Sequence, residues 1–451
     1  MTTTDSSAIT IIGAGLAGCE AAWQLAERRI PVTLQEMKPE KFSPAHSSPD
    51  LAELVCSNSL RSDSPDHAAG LLKRELEQCG SLIMAAARQT SIPAGSALAV
   101  DRKAFSRRIT EAVSSHPLIS LVRAEAASLP ITGTVVIATG PLTSAALTDA
   151  LAELTGQQLY FYDATAPIVA ADSINYDRCF WGNRYQPEGE GDYLNCPLDR
   201  EQYQNLVAAI AAGDQVRARE FEDRKVFEGC MPIETMVARG TETLAFGPLK
   251  PVGLTDPRTG TQPHAVVQLR RENREATMLN LVGFQTRLSF PWQEKVIHLI
   301  PGLENAVIYR YGTMHRNTFI NAPQLLNRCF QHLREPRVFF AGQISGVEGY
   351  LESAASGLIV GTQLALLQKT GRFFPFPATC ALGALSTHIT NTHSKNFQPM
   401  NINFGLFPAL EKKMKKAARK AAYAERALED LSSWQRGYPQ YLSIPSFLMD
   451  S

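Results

Sequence analysis

The chain has no net charge: 44 Lys and Arg stand against 44 Asp and Glu. Binding of nucleic acid through bulk positive charge is therefore excluded, and any such partner must meet a local patch. None of the 8 cysteines belongs to a CxxC pair. Neither a zinc ribbon nor a thioredoxin-type pair is indicated, and no metal site is expected. No run approaches the roughly 18 apolar residues needed for a membrane span. The opening MTTTDSSA lacks the basic start and apolar core of a secretory signal. A cytoplasmic location, no membrane partner and reduced thiols are expected. Internal repeats and low-complexity stretches are absent too. What remains, 44% hydrophobic and 20% charged residues, predicts a globular enzyme of two or more domains.

Two nucleotide-type signatures stand near the ends. In the first, ITIIGAGLAGCEAAWQLAERRIPVTLQE, Ile9 to Ile12 is a short β-branched run, a buried parallel strand. Gly13, Gly15 and Gly18 then form GxGxxG around Ala14, Leu16 and Ala17. The first glycine allows the tight turn, the second lets a pyrophosphate approach, and the third lets helix and strand touch. A helix follows through Arg28, with its positive end toward the phosphates. A second strand from Val32 closes on Glu36, at the spacing where a carboxylate meets ribose hydroxyls.

The second signature is RVFFAGQISGVEGYLESAASGLIVG, residues 337–361. It reads as a buried strand, a glycine turn and a helix from about Glu348. TVVIATG, from Thr134, is another strand of the type found beside FAD. A plain NAD dehydrogenase has no need of the later half-site, so FAD is the expected cofactor. Gly342, Gln343, Gly346 and Gly349 should lie near its flavin half. Most flavoproteins carry aspartate after this AG. Gln343 offers no carboxylate but still donates and accepts hydrogen bonds.

Two cysteines stand apart. Cys56 lies in LVCSNSLRS, among hydrogen-bonding residues, and Cys230 lies in FEGCMPIE, after Arg224 and Lys225. Cationic or N–H-rich surroundings favour a thiolate nucleophile. Cys19, Cys329 and Cys380 read as small core residues. Cys79, Cys179 and Cys196 are ambiguous.

The pattern predicts an α/β protein: a Rossmann-like FAD-binding domain of the glutathione-reductase type with an inserted smaller α+β domain. The expected bounds are 1–165, 166–333 and 334–451. An amphipathic helix is expected over 69–77. In the insert, AVVQLR and ATMLNLVGF read as paired strands. Phe180, Trp181 and Tyr185 could be a base-stacking surface or simply core. Leu410, Met414, Ala417, Ala421, Ala424, Leu428 and Leu431 mark one helical stripe in the tail. Lys412, Lys413 and Lys416 belong to a basic cluster around it, either a solvated face or a phosphate-contacting patch.

Taken together, LVCSNSLRS, CFWGNRY, FEGCMPIE, FGPLKPVGL, HRNTFINAP, FAGQISGVEGYLESAASGL and QPMNINFGL resemble the folate- and FAD-dependent tRNA uracil-54 methyltransferases. The resemblance runs from Ile9 to about Leu431. FAGQ is shared with the related GidA-type tRNA-modifying flavoproteins, whose chains are longer. The resemblance implies methylation of carbon 5 of a T-loop uridine in tRNA. The one-carbon unit comes from 5,10-methylenetetrahydrofolate, with FAD as cofactor and NAD(P)H as reductant. It implies Cys56 and Cys230 as catalytic residues, with Cys230 attacking carbon 6. His315 could meet the folate pterin and Arg316 a carboxylate or phosphate. Arg61, Arg287 and the tail lysines are candidate RNA contacts. A disulfide reductase using Cys56 and Cys230 would usually keep them close in sequence, and they are far apart. A GidA-type tRNA uridine-modifying flavoprotein and a non-catalytic, FAD-containing RNA scaffold are the remaining alternatives.

Overall fold

A computed structural model describes residues 8–156, 159–186, 191–216, 231–392, 397–411 and 414–438. Five parallel strands form the central sheet, in the order Val338–Phe340, Thr134–Ile137, Ile9–Ile12, Val32–Glu36 and Ile119–Arg123. The β-branched run Ile9–Ile12 sits in the middle because a parallel strand covered on both faces must be apolar throughout. The two signatures thus meet in one sheet. Each brings its own helix: Leu16–Glu27 after the first and Tyr350–Thr370 after the second. A Cβ on Gly357 would stand 2.2 Å from the Ala17 carbonyl oxygen, so these helices pack backbone against backbone.

Helix Tyr350–Thr370 corrects one expectation from sequence. By length and composition it is apolar enough to cross a membrane, but it is a core helix and mostly buried. Glu20 inside the first helix is fully buried as well. Its carboxylate accepts from Ser81 Oγ (2.7 Å) and the Ile83 N–H (3.1 Å), at the start of helix Leu82–Gln89.

The second sheet is antiparallel, in the order Phe180–Trp181, Tyr193–Leu198, Ala265–Arg271, Met278–Leu281, Ile168–Ala170 and Ile308–Arg310. The two segments expected to pair do so, with Leu269 opposite Leu281. A ribbon of Leu159–Ala164 against Met314–Phe319 connects the two sheets. The chain rejoins the first core before residue 334. Phe319, Ile320, Leu326 and Phe330 already pack with Val338 and Phe340. A third, three-stranded sheet (Ser59–Ser62, Ala97–Val100, Ser91–Ile92) follows the Cys56 loop. The amphipathic helix spans Ala68–Gln78.

The tail helix is Lys416–Arg436. Its buried stripe differs from the expected one. Ala424, Ala427 and Leu431 are buried, while Ala421 and Met414 are exposed. Aromatic contacts set the rotation: Trp434 lies 4.3 Å from Phe376, and Tyr423 stacks on Phe404 at 5.5 Å. These rings bury more area than a row of alanines, so they decide which face turns inward.

Candidate functional site

The glycine loop Gly13–Gly15 opens into a cleft of about 1100 Å³, counting the solvent at its mouth. Gly13, Ala14, Gly15, Leu16 and Ala17 line one side, Glu36 and Lys38 another, and Gly342 and Gln343 a third. The three glycines of the motif differ in their surroundings. Gly13 has φ +98°, and a Cβ there would stand 2.6 Å from the Ala138 oxygen. A Cβ on Gly18 would stand 1.8 Å from the Gly13 oxygen, so that glycine serves packing and does not line the cleft. A Cβ on Gly15 meets nothing within 4 Å and would project into open space. That is the cradle a pyrophosphate requires, at the amino end of a helix with no acid in its first turn.

Glu36 ends its strand with its carboxylate tied down. Oε2 accepts from the Ala14 N–H (2.8 Å) and Oε1 from the Lys38 N–H (3.0 Å). The acid thus braces the loop while facing the cleft, and carboxylate oxygens can accept further bonds from ribose hydroxyls. Gln343 donates to Glu348 Oε2 at 2.7 Å. Gly346 and Gly349 lie behind the cleft, against Phe397 and beside Glu352 and Asn401. The residues present fit a dinucleotide such as FAD.

Cys56 is half-buried on the loop after Val55, which lines the cleft. Tyr350, the first residue of the core helix, also lines the cleft. Its hydroxyl accepts from the Cys56 N–H (2.8 Å) and the Ser57 N–H (3.2 Å), and lies 3.0 Å from Cys56 Sγ. Burial, then the Cys56 charge, pushes the Tyr350 hydroxyl well above its ordinary pKa, so it stays protonated. With both lone pairs engaged, its proton is left for the sulfur. A hydroxyl donating to sulfur stabilises negative charge there.

Arginines surround this loop. Arg102 donates to the Leu54 carbonyl and pairs with Glu272 at 2.9 Å. Arg270 donates to Ser57 Oγ and Asn58 Oδ1, both at 3.0 Å. Asn58 in turn donates to the Arg271 carbonyl at 2.9 Å. Strand Ala265–Arg271 of the inserted sheet is thereby fastened to the loop that carries Cys56. Tyr350, Arg102 and Arg270 escaped the sequence reading. Tyr350 stood inside a quoted motif, at the start of its helix, and could have been found there. The arginines carried no local signal.

Other expected residues are placed differently. Arg61, in a left-handed conformation (φ +63°), pairs with the buried Glu352, which also accepts from the Ile402 N–H at 2.7 Å. This internal pairing accounts for its charge without RNA. Arg287 is mostly buried beside Glu234 (3.9 Å), and its N–H donates to that carboxylate at 2.6 Å. Each arginine thus has a carboxylate of the chain beside it. His315 and Arg316 lie on the connecting ribbon, opposite Asp163 and Tyr162, with side chains outside the described residues. Cys230, Lys412 and Lys413 lie outside the described residues, as does the side chain of Lys416.

Of the ambiguous cysteines, Cys79 is buried, and Cys179 and Cys196 are buried with their sulfurs 3.4 Å apart. Phe180 is core, packed with Leu254 and Val266. Trp181 carries the Arg271 guanidinium over its ring at 4.7 Å, and Tyr185 is exposed. Among the described residues, no group of three or more His, Cys, Asp or Glu could hold a metal.

A family model described as glucose inhibited division protein A matches residues 8–371. A Pelobacter propionicus protein named "Methylenetetrahydrofolate--tRNA-(uracil-5-)-methyltransferase TrmFO" is 60% identical over 428 residues, 94% of this chain and 94% of that protein. A Geobacter sulfurreducens protein of the same name is 59% identical over 429 residues, 95% of this chain and 99% of its own. Aquifex aeolicus GidA, in its form II crystal, shares the fold with a TM-score of 0.68 at 16% identity, covering 94% of this chain and 73% of that one. With glycine cleft, cysteine loop and near full-length identity in agreement, the chain belongs to the TrmFO family, within the wider glucose inhibited division protein A family.

Proposed function

We propose that the protein methylates carbon 5 of uridine 54 in the T loop of tRNA, in the cytoplasm. The one-carbon unit comes from 5,10-methylenetetrahydrofolate and the reducing equivalents from NAD(P)H. The observation that carries this reading is the contact of Cys56 with Tyr350, a residue of the nucleotide cleft. It sets a thiol beside the place where a flavin would lie. The relatives' printed names supply the substrate class.

FAD would be held by the Gly13–Ala17 loop and Glu36 at its adenosine diphosphate half, and by Gly342 and Gln343 at its flavin half. When reduced, it supplies the electrons that bring the one-carbon unit to a methyl group. Carbon 5 of uracil is a poor nucleophile. A thiolate of Cys230 adding to carbon 6 makes carbon 5 an enolate carbon, able to attack the electrophilic carbon. Loss of the carbon 5 proton to a base expels tetrahydrofolate and leaves an exocyclic methylene; once that carbon has been reduced to a methyl group, departure of the thiolate from carbon 6 restores the ring. Cys56 is proposed to accept that proton; its contact with the Tyr350 hydroxyl supports the reading. His315 and Arg316 are proposed to meet folate. Lys412, Lys413 and Lys416 are proposed to meet RNA phosphates.

The test is direct. Purified protein is given unmodified tRNA transcript, labelled methylenetetrahydrofolate and NADPH. Label should appear as 5-methyluridine in the T loop. Label arriving from S-adenosylmethionine instead would overturn the reading, and a different modified uridine would favour a GidA-type reaction.

A further inference from the structure

The face of the inserted sheet that meets the Cys56 loop carries a row of hydrogen-bonding side chains. Strand register aligns Tyr193, Arg270, Asn280 and Ile168 across four strands, and a register shift between Ile308 and Arg310 brings Arg310 opposite Ile168 on the fifth. Residues directly opposite one another project from the same face. Glu272, two residues beyond Arg270, continues that face, because side chains alternate along a strand. Arg270 is engaged by Ser57 and Asn58, the neighbours of Cys56. Asn280, Arg310 and Glu272 have bonding capacity left over. Buried and without a partner are Asn280 Nδ2, Arg310 Nε and a terminal Arg310 nitrogen, together with Glu272 Oε1. Asn280 is 3% exposed and Glu272 2%.

Buried polar atoms without partners are costly, and each calls for a water, an ion or a ligand to complete it. Three of these atoms belong to donors and one is a carboxylate oxygen. A folate carboxylate would suit the donors but be repelled by Glu272. An RNA phosphate would suit the donors but, like a folate carboxylate, be repelled by Glu272. The edge of a uracil matches. It offers oxygen 4, the N3 hydrogen and oxygen 2: acceptor, donor, acceptor. Enzymes that act on an extruded base read this edge by hydrogen bonds. Cytosine has an acceptor at N3 and a donor at carbon 4, and would meet Glu272 and the donors wrongly. Proximity to the reacting centre has support. Burial, then the Arg102 charge, lowers the Arg310 pKa, while Glu272, Tyr350 and Cys56 act to raise it.

We propose that Glu272, Asn280 and Arg310 form the base-reading site, with Glu272 accepting the N3 hydrogen and Asn280 and Arg310 donating to the flanking carbonyl oxygens. This rests on the functional reading above. It adds to that reading the residues that choose uracil, and it gives Arg310 or Asn280 the further task of meeting negative charge that develops on oxygen 4.

The test uses full-length holoenzyme and T-arm RNA hairpins carrying uridine or 3-deazauridine at the target position. Wild-type kcat/KM should fall by about 10²-fold for 3-deazauridine, which has no N3 hydrogen. Glu272→Gln places a donor where an acceptor stood. It should lower activity on uridine by a similar factor and abolish the discrimination between the two hairpins. Arg310→Met removes a cation two of whose nitrogens are buried without hydrogen-bond partners. It should keep the melting temperature and the bound-FAD spectrum while losing activity. Wild-type protein that leaves the uridine hairpin unmethylated would overturn the functional reading itself. An active wild type indifferent to 3-deazauridine, or a Glu272→Gln variant that still discriminates, would overturn the base-reading site alone. Weakened folate binding with unchanged base discrimination in Arg310→Met would overturn it in favour of a folate carboxylate site.

Discussion

The Tyr350 hydroxyl and Cys56 Sγ lie 3.0 Å apart, although 294 positions separate the two residues in the chain. The same hydroxyl accepts the N–H groups of Cys56 and Ser57, so one phenol fixes both the loop and the sulfur. Replacing Tyr350 by Phe keeps the ring and its packing and removes that bond. Methylation should slow by about 10²-fold, the usual size of a lost proton-transfer partner. Alkylation of Cys56 by iodoacetamide at pH 7 should slow as well, with FAD content unchanged. Equal alkylation rates in the two proteins would dismiss the tyrosine's role.

The two cysteines should separate by chemistry. With 5-fluorouracil in the target position, carbon 5 cannot release a proton and the covalent adduct persists. Cys230→Ala should form no adduct, whereas Cys56→Ala should still trap RNA. An undiminished adduct in Cys230→Ala would exchange the two roles. Gel mobility of the complex under denaturing conditions gives the answer.

The glycines of the first loop should part company. A methyl group at Gly15 meets no atom, so Gly15→Ala should change the stability of FAD-free protein by less than about 0.5 kcal/mol. Its FAD affinity should fall at least tenfold by fluorescence titration, since the methyl projects where the phosphates approach. A methyl at Gly18 would stand 1.8 Å from the Gly13 oxygen. That overlap should cost about 3 kcal/mol or more, seen as a lower urea midpoint with or without FAD.

Neutralising Lys412, Lys413 and Lys416 together should weaken tRNA binding. The dependence of log K on log salt should flatten by about two units, as each lost phosphate contact removes somewhat less than one. Filter binding across a salt series measures this. An unaltered slope would remove the tail from the RNA contact.

Glu75 provides a pH test of stability. Its carboxylate is fully buried and accepts from the Ala381 N–H (2.6 Å) and the Leu382 N–H (2.9 Å), at the start of helix Ala381–Ile389. Burial is the leading cause of a pKa pushed up to about 8. An acid that binds its proton more tightly when folded loses stability as pH rises from its unfolded value, about 4.5, toward 8. Glu75→Gln cannot titrate. Relative to wild type, it should become progressively more stable across that window, by an amount on the order of a few kcal/mol. Parallel urea curves at pH 5 and pH 8 would refute the assignment.

The nucleotide half of the site was legible because its constraints are local. Gly13, Gly15, Gly18 and Glu36 lie within one strand–helix–strand unit, and each answers to backbone geometry over a few residues. Cys56 was legible only as a thiol among hydrogen-bonding neighbours. Its partner comes from the far end of the chain. Arg61 looked like a surface cation because Glu352 lies 291 positions away, and nothing in the sequence announces their pairing. In the tail, spacing gave the helix but not its rotation, because Phe376 and Phe404, outside the helix, decide which side is buried.

The sequence by itself determined the parallel sheet and the phosphate-facing helix. These follow from φ/ψ limits and side-chain periodicity, which act over short stretches. Only the tertiary structure decided that the inserted sheet turns Arg270, Asn280 and Arg310 toward the Cys56 loop. That juxtaposition depends on strand register and on packing between distant segments. Hydrogen bonds reach about 3 Å through space whatever the distance along the chain, so no reading of neighbours could have supplied it.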